Sequence, residues 1–288
     1  MKQAVLLLAH GAPERVDDVE EYLKFVRGGR PGPTPPKVLE EVRQRLAAIG
    51  GSSPLRAWTA AQAAALEKLL GLPVFFGMRN WYPLISETIG EMREAGVERI
   101  AAVCLAPQFS ELSVGLYIKR TEEAMRQLGL TAEIVWAKSF HDEPLLVEAF
   151  AERLRPLAAG PKVLFTAHSL PERALASGDP YDRETRATAA AVAARVGLAD
   201  WDFAYQSQGM TDDKWLGPTV ESRLDRYAAA RIREVVLDPI GFVCDHIEVL
   251  YDIDILFRGY ARERGIKLVR PESLNGSATF TAALAAVA

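Results

Sequence analysis

Two histidines stand where short apolar runs end. His168 follows Val163-Leu164-Phe165-Thr166-Ala167 and precedes Ser169-Leu170-Pro171, while His10 follows Ala4–Ala9 and precedes Gly11. An imidazole titrates near 6.5, so close to neutral pH it can offer a lone pair to a metal or to a proton. Position alone leaves two readings for each: a ligand or base at the mouth of a strand, or a histidine satisfied by local backbone groups.

A second cluster is acidic. After Asp238-Pro239-Ile240-Gly241-Phe242-Val243-Cys244 comes Asp245-His246-Ile247-Glu248-Val249-Leu250-Tyr251-Asp252. On an α-helix Asp245, Glu248 and Asp252 share one face, and no Lys or Arg between 245 and 257 neutralises them. Crowded carboxylates are relieved by a cation or a shared proton, so this face reads as a path for a divalent metal or as a proton site. A third cluster is basic. Lys24, Arg27, Arg30, Lys37, Arg43 and Arg45 stand against Glu40 and Glu41 between Tyr22 and Arg45, and such arginines can grip carboxylates bidentately.

The elements that must hold these residues follow from the apolar pattern. Runs at Ala4–Ala9, Val74–Met78, Ile100–Ala106, Glu133–Ala137, Val163–Ala167, Trp201–Ser207, Val235–Val243 and Ile266–Val269 alternate with helical stretches. That alternation predicts parallel sheets covered by helices, with ligands beyond the carboxyl ends of the strands. The helices are expected at about 35–47, 60–70, 83–95, 113–128, 143–157, 182–196, 216–230, 246–264 and 277–287, with Ser113 and Asp182 as caps. Ala9-His10-Gly11-Ala12-Pro13 is echoed by Ala167-His168-Ser169-Leu170-Pro171, and Leu105-Ala106-Pro107 by Leu237-Asp238-Pro239. The echo predicts two similar Rossmann-like domains of four strands, at 1–130 and 131–288, facing each other across a cleft. The last helix is expected to pack back on the first domain. Pro31-Gly32-Pro33-Thr34-Pro35-Pro36 reads as a stiff loop.

Composition narrows the function. The 288 residues are 49% hydrophobic and 25% charged with a net charge of −4, a globular balance without the positive field that holds nucleic acid. No signal peptide or membrane span is legible, so a cytoplasmic protein is expected. Cys104 and Cys244 lie in apolar runs without a CxxC spacing, which suits free buried thiols and leaves no iron–sulfur or structural zinc site. Gly50-Gly51-Ser52-Ser53-Pro54 lacks the Gly-Lys-Ser/Thr of a P-loop, no GxGxxG follows the first strand, and no Gly-x-Ser-x-Gly elbow occurs. Nucleotide cofactors and α/β-hydrolase chemistry are therefore disfavoured.

The ordered set of Ala48-Ile49-Gly50-Gly51-Ser52-Ser53-Pro54-Leu55, Leu105-Ala106-Pro107-Gln108-Phe109-Ser110, Thr166–Pro171, Gln206-Ser207-Gln208-Gly209, Trp215-Leu216-Gly217-Pro218 and Gly241–Asp252 resembles the ferrochelatases, enzymes that insert ferrous iron into a porphyrin. The resemblance covers about Val5 to Ala283. It implies two Rossmann-like domains around a porphyrin cleft, with His168 and Glu248 as the catalytic pair that binds iron and Asp252 on the iron approach path. A neutral nitrogen and an anionic oxygen suit Fe²⁺ and still let it go, and either group can take a pyrrole proton.

The same resemblance implies that Arg27, Arg45, Ser53 and Tyr117 hold the propionates or pack on the ring. His10 stands where some bacterial relatives have a tyrosine, as an axial ligand opposite His168 or as a hydrogen-bond partner of the substrate. Leu46 replaces a tyrosine of some relatives, and Leu256 replaces an acid, which leaves a second metal site unsupported. The short form is similar to the coproporphyrin ferrochelatases, which implies coproporphyrin III and Fe²⁺ as substrates and coproheme as product. The expected protein is a monomer with no permanently bound cofactor, no integral membrane association and a transient downstream haem-pathway enzyme as partner. Four alternatives remain: a protoporphyrin IX ferrochelatase, a non-catalytic haem carrier, a cobalt or nickel chelatase of an early tetrapyrrole, and a small-molecule binding protein that uses the interdomain cleft. The acidic row speaks against the carrier, and the His168/Glu248 pairing against the cobalt or nickel chelatase.

Overall fold

A computed structural model describes residues 1–28, 32–209 and 213–288. Arg30 and Pro31, part of the basic stretch and of the proline loop, lie outside the described residues.

The eight apolar runs form eight strands in two parallel sheets. β1 (Gln3–Ala9), β2 (Val74–Met78), β3 (Arg99–Cys104) and β4 (Glu133–Ala137) make the first, in the order β2-β1-β3-β4. β5 (Lys162–His168), β6 (Trp201–Gln206), β7 (Glu234–Asp238) and β8 (Lys267–Val269) make the second, in the order β6-β5-β7-β8. The shared order makes the two halves equivalent, so His10 and His168 occupy matching places beyond the central strands. β4 pairs with β3 from Arg99↔Glu133 to Val103↔Ala137. The division between the sheets therefore falls after Ala137, not at the expected 130/131, because ladder hydrogen bonds tie β4 to the first half.

The helices are α1 (Val19–Val26), α2 (Pro36–Ala48), α3 (Leu55–Leu70), α4 (Ile85–Glu94), α5 (Val114–Leu128), α6 (Pro144–Leu154), α7 (Arg173–Ala176), α8 (Tyr181–Val196), α9 (Val220–Ala229), α10 (Ile247–Leu250), α11 (Arg258–Glu263) and α12 (Ala278–Val287). Alternate residues of each central strand face opposite layers. Val5 and Leu7 of β1 join Val163, Phe165 and Val236 of the second sheet in one core shared with α3, α6, α8 and α12. Ala4, Leu6 and Leu8 face α4 and α5, and Leu164, Val235 and Leu237 face α9 and α11. Through Phe280, Ala283 and Leu284, α12 packs on Leu66 of α3 in the first half.

Three local expectations differ. α1 was not among the expected helices; Val19 and Leu23 bury one face of it against Leu46 of α2. Neither Ser113 nor Asp182 caps a helix: Ser113 makes no capping bond at α5, and the Asp182 carboxylate instead accepts from Tyr205 Oη and Arg186 Nε. The single helix expected over 246–264 is broken, with α10 running into a π-helical segment, Asp252–Phe257, before α11. Leu256 N donates to Tyr251 O, five residues back, a π turn, and because His246 before α10 is extended, Asp245 lies outside the helix and the i, i+3, i+7 face of three carboxylates does not form.

Candidate active site

The carboxyl ends of the two sheets face a cleft of about 1090 Å³, open mouth included, lined by His10, Arg79 and Tyr117 from the first half and His168, His246 and Glu248 from the second. His168 ends β5. Its Nδ1 donates to the Ser169 carbonyl, and because a carbonyl only accepts, the Nε2 lone pair is left facing the cleft. His246 repeats the device, with Nδ1 donating to Cys244 O at 3.0 Å. Glu248 lies between them: Oε1 is 3.8 Å from His168 Nε2 and Oε2 is 3.8 Å from His246 Nε2. Burial alone would raise the Glu248 carboxyl, but the positive charge His168 carries when protonated, with the charge and hydrogen bond His246 offers in the same form, prevails and lowers it to about 2. It is an anion at any physiological pH.

A hydrogen-bonded chain supports this arrangement from below. Thr166 Oγ1 donates to Gln206 Oε1 at 2.7 Å, and Gln206 Nε2 donates to the Glu248 carbonyl at 3.3 Å, so β5, β6 and α10 are tied together. Gly241 closes the corner, where a Cβ would sit 2.9 Å from the Ala167 Cα. Only glycine lets the loop after β7 lie against the backbone that presents His168.

His10 is differently committed. Nδ1 donates to Gly11 O at 3.0 Å and Nε2 accepts from Asn80 Nδ2 at 3.0 Å, so both ring nitrogens are engaged. Burial first, and then the Arg79 charge, lower it to about 4, which keeps it neutral. Tyr117 lies under the Arg79 guanidinium, 5.0 Å from its carbon to the ring centre, and burial raises its hydroxyl.

The acidic row is dispersed. Asp245 turns away from the cleft, accepting from Ser273 Oγ at 2.8 Å and Asn275 Nδ2 at 2.9 Å, with Arg270 Nη2 at 3.1 Å. Asp252 is buried behind Glu248. It accepts from Ser207 Oγ and lies 3.5 Å from Arg45 Nη1, whose Nη2 also bridges to Glu41 Oε1 at 2.5 Å. Burial and the neighbouring Glu248 charge raise Asp252 to about 6. The cation missing from the local sequence thus arrives from α2. Arg45 stacks on Tyr251, Arg27 donates to Gly32 O at 2.9 Å, and the buried Ser53 hydroxyl accepts from Leu55 N at the start of α3. These three, with Asp252, lie outside the cleft lining.

A ferrochelatase family model matches residues 2–288. The chain belongs to the ferrochelatase family. It is 46% identical to the ferrochelatase of Acidobacterium capsulatum, over all of this chain and 94% of that one. It is 37% identical to the coproporphyrin III ferrochelatase of Mycobacterium ulcerans, over 96% of this chain and 83% of that one. Among solved structures, SirB from Bacillus subtilis with Fe³⁺ superposes with a TM-score of 0.64 over 99% of this chain and 94% of its own, and at 12% identity this shows the chelatase fold alone. Among the described residues no helix is long and apolar enough to cross a membrane.

For this family member, residue types and spacing pointed to His10, His168 and Glu248 and the family resemblance added Tyr117, and all four line the cleft. They missed Arg79 and His246. Arg79 directly follows the apolar run Val74–Met78, so the strand-mouth rule that selected the histidines would have found it; His246 lay in full view inside the acidic row.

Proposed function

We propose that the chain inserts Fe²⁺ into coproporphyrin III, with His168 and Glu248 as the groups that receive the metal and take the pyrrole protons. The observation that carries the reading is the Glu248 carboxylate placed 3.8 Å from the Nε2 atoms of both His168 and His246 at the cleft wall. A hard anionic oxygen beside imidazole nitrogen attracts Fe²⁺ without a closed shell of ligands, so the metal can be passed on. Each pyrrole N–H proton has a carboxylate or an imidazole within the same wall as acceptor. His246 presents a third such nitrogen. Asp252, directly behind Glu248, is the last step of the approach path. It carries less charge than a free carboxylate below about pH 6.

In this reading Tyr117 packs on the ring, and Arg27, Arg45 and Ser53 meet the propionates at its rim. Arg45 exchanges Glu41 or Asp252 for a propionate when the porphyrin seats, since its present partners are themselves carboxylates. His10 serves as a neutral neighbour of the macrocycle and becomes an axial ligand only if Asn80 releases its Nε2. The coproporphyrin assignment draws support from relatives bearing that name at 33–37% identity over nearly the whole chain.

The test is anaerobic incubation with Fe²⁺ and equal concentrations of coproporphyrin III and protoporphyrin IX, following the loss of each fluorescence. Faster metallation of coproporphyrin is expected. Preference for protoporphyrin overturns the substrate, and binding of either without metallation overturns the proposed activity.

Gly241→Ala tests how the site is held. Its Cβ has no room against Ala167 Cα, so β5 must shift and carry His168 with it. The expected result is a loss of about 1–3 kcal/mol in stability and about a tenfold or greater fall in turnover at saturating porphyrin. Thermal unfolding and steady-state metallation read the two effects; a variant equal to the wild type in both would show that the corner gives way freely.

A further inference from the structure

Arg79 is the charged group in the cleft for which the structure gives no partner charge. It forms no ion pair among the described residues, and its Nη1 is shielded from solvent without a hydrogen-bond acceptor. Arg79 is half-buried, and a guanidinium drawn partly out of water is usually met by a carboxylate that offsets its lost hydration. Fixed backbone bonds hold it there: Arg79 N donates to Ala9 O at 3.0 Å and Asn80 N to His10 O at 2.9 Å, so its side chain leaves β2 beside His10. The titratable groups around it are His10 just after β1, Tyr22 from α1, Cys104 from β3 and Tyr117 from α5. Each is held neutral, His10 at about 4 and the other three raised by burial. Among the described residues the first-half wall therefore presents Arg79 as a single positive charge among neutral groups. Across the cleft the second-half wall bears the Glu248 anion.

We infer that Arg79 is an electrostatic catalyst that stabilises the negative charge developing on the macrocycle as it loses its pyrrole protons. The inference rests on the porphyrin-metallating reading above. In the reaction two N–H bonds break, both protons leave as H⁺, four nitrogens bind Fe²⁺ through their lone pairs, and no electron changes hands. Between deprotonation and metal capture the ring carries negative charge, and a fixed guanidinium on one side of it lowers the free energy of that state more than that of the neutral ring. The same charge repels Fe²⁺ from the His10 side, so metal approaches from the Glu248 side.

The test compares wild type, Arg79→Met, which keeps an unbranched apolar stem and drops the charge, and Arg79→Lys, which keeps the charge. Porphyrin affinity is read by fluorescence titration without metal, and kcat by metallation from pH 6 to 9. For Arg79→Met the expected result is a fall in kcat of about 100-fold at pH 7 with porphyrin Kd within about threefold. The rise of kcat with pH should move to higher pH, and Arg79→Lys should recover most of the loss. Weaker porphyrin binding with kcat unchanged would make Arg79 a propionate clamp and overturn the inference, as would an Arg79→Met enzyme equal to wild type. If the methionine variant does not fold, a lysine enzyme that binds porphyrin normally yet loses about 100-fold in kcat overturns it as well. A wild-type protein that metallates no porphyrin would instead remove the functional reading itself, before the variants are compared.

Discussion

Glu248→Gln is expected to lower the turnover of iron insertion by about a thousandfold while porphyrin affinity stays within about threefold. Glutamine keeps the shape of glutamate, and its amide can donate to the His168 or His246 Nε2 lone pair that now faces a carboxylate at 3.8 Å. The wall therefore stays assembled. What disappears is the one anion lining that wall among the described residues, and with it the attraction for Fe²⁺ and an anionic acceptor for a pyrrole proton. Porphyrin binding by fluorescence titration and metallation under anaerobic conditions separate the two effects. Turnover within tenfold of the wild type would remove Glu248 from the mechanism.

The largest effect on stability is expected at Asp238. Its carboxyl is 2% exposed at the end of β7, and Oδ2 has no hydrogen-bond partner. Burial raises it to about 8, so it is protonated in the folded chain at neutral pH. In the unfolded chain it titrates near 3.8. Between those values the folded state holds a proton that the unfolded state has released. Its contribution is therefore complete below about pH 4 and declines as pH rises toward 8, by at most about 1.4 kcal/mol per pH unit. Asp238→Asn removes the titration. Its stability relative to wild type should improve by about 2–4 kcal/mol more at pH 8 than at pH 5, read from urea midpoints at the two pH values. An equal effect at both would mean that Asp238 is already ionised in the fold.

Much of the architecture was legible because buried parallel strands need unbroken apolar runs, and all eight runs became strands. The same logic selected the residues beyond those runs. It failed for a short helix that follows no apolar run and is held by two buried residues, as in α1, and where backbone geometry departs from 3.6 residues per turn, as in Asp252–Phe257. The acidic row illustrates a third failure. Spacing put Asp245, Glu248 and Asp252 on one face, whereas the helix begins only after the extended His246, so Asp245 lies before it and is held by Arg270, and of the three Glu248 alone lines the cleft.

The sequence by itself determined the two-fold repeat of parallel sheets, the placing of His10 and His168 at equivalent strand ends, and the residue types able to bind a metal or a carboxylate. Periodicity and strand-end position are local properties, and a chain carries them openly. Only the tertiary structure decided which of those groups are free to act. Asn80, 70 residues away, occupies the Nε2 of His10; Arg45, 207 residues away, meets Asp252; and Arg79 is left without a counter-charge. Charge and lone pairs are satisfied through space, by whatever the fold brings within about 3–4 Å, and that distance bears no relation to separation along the chain.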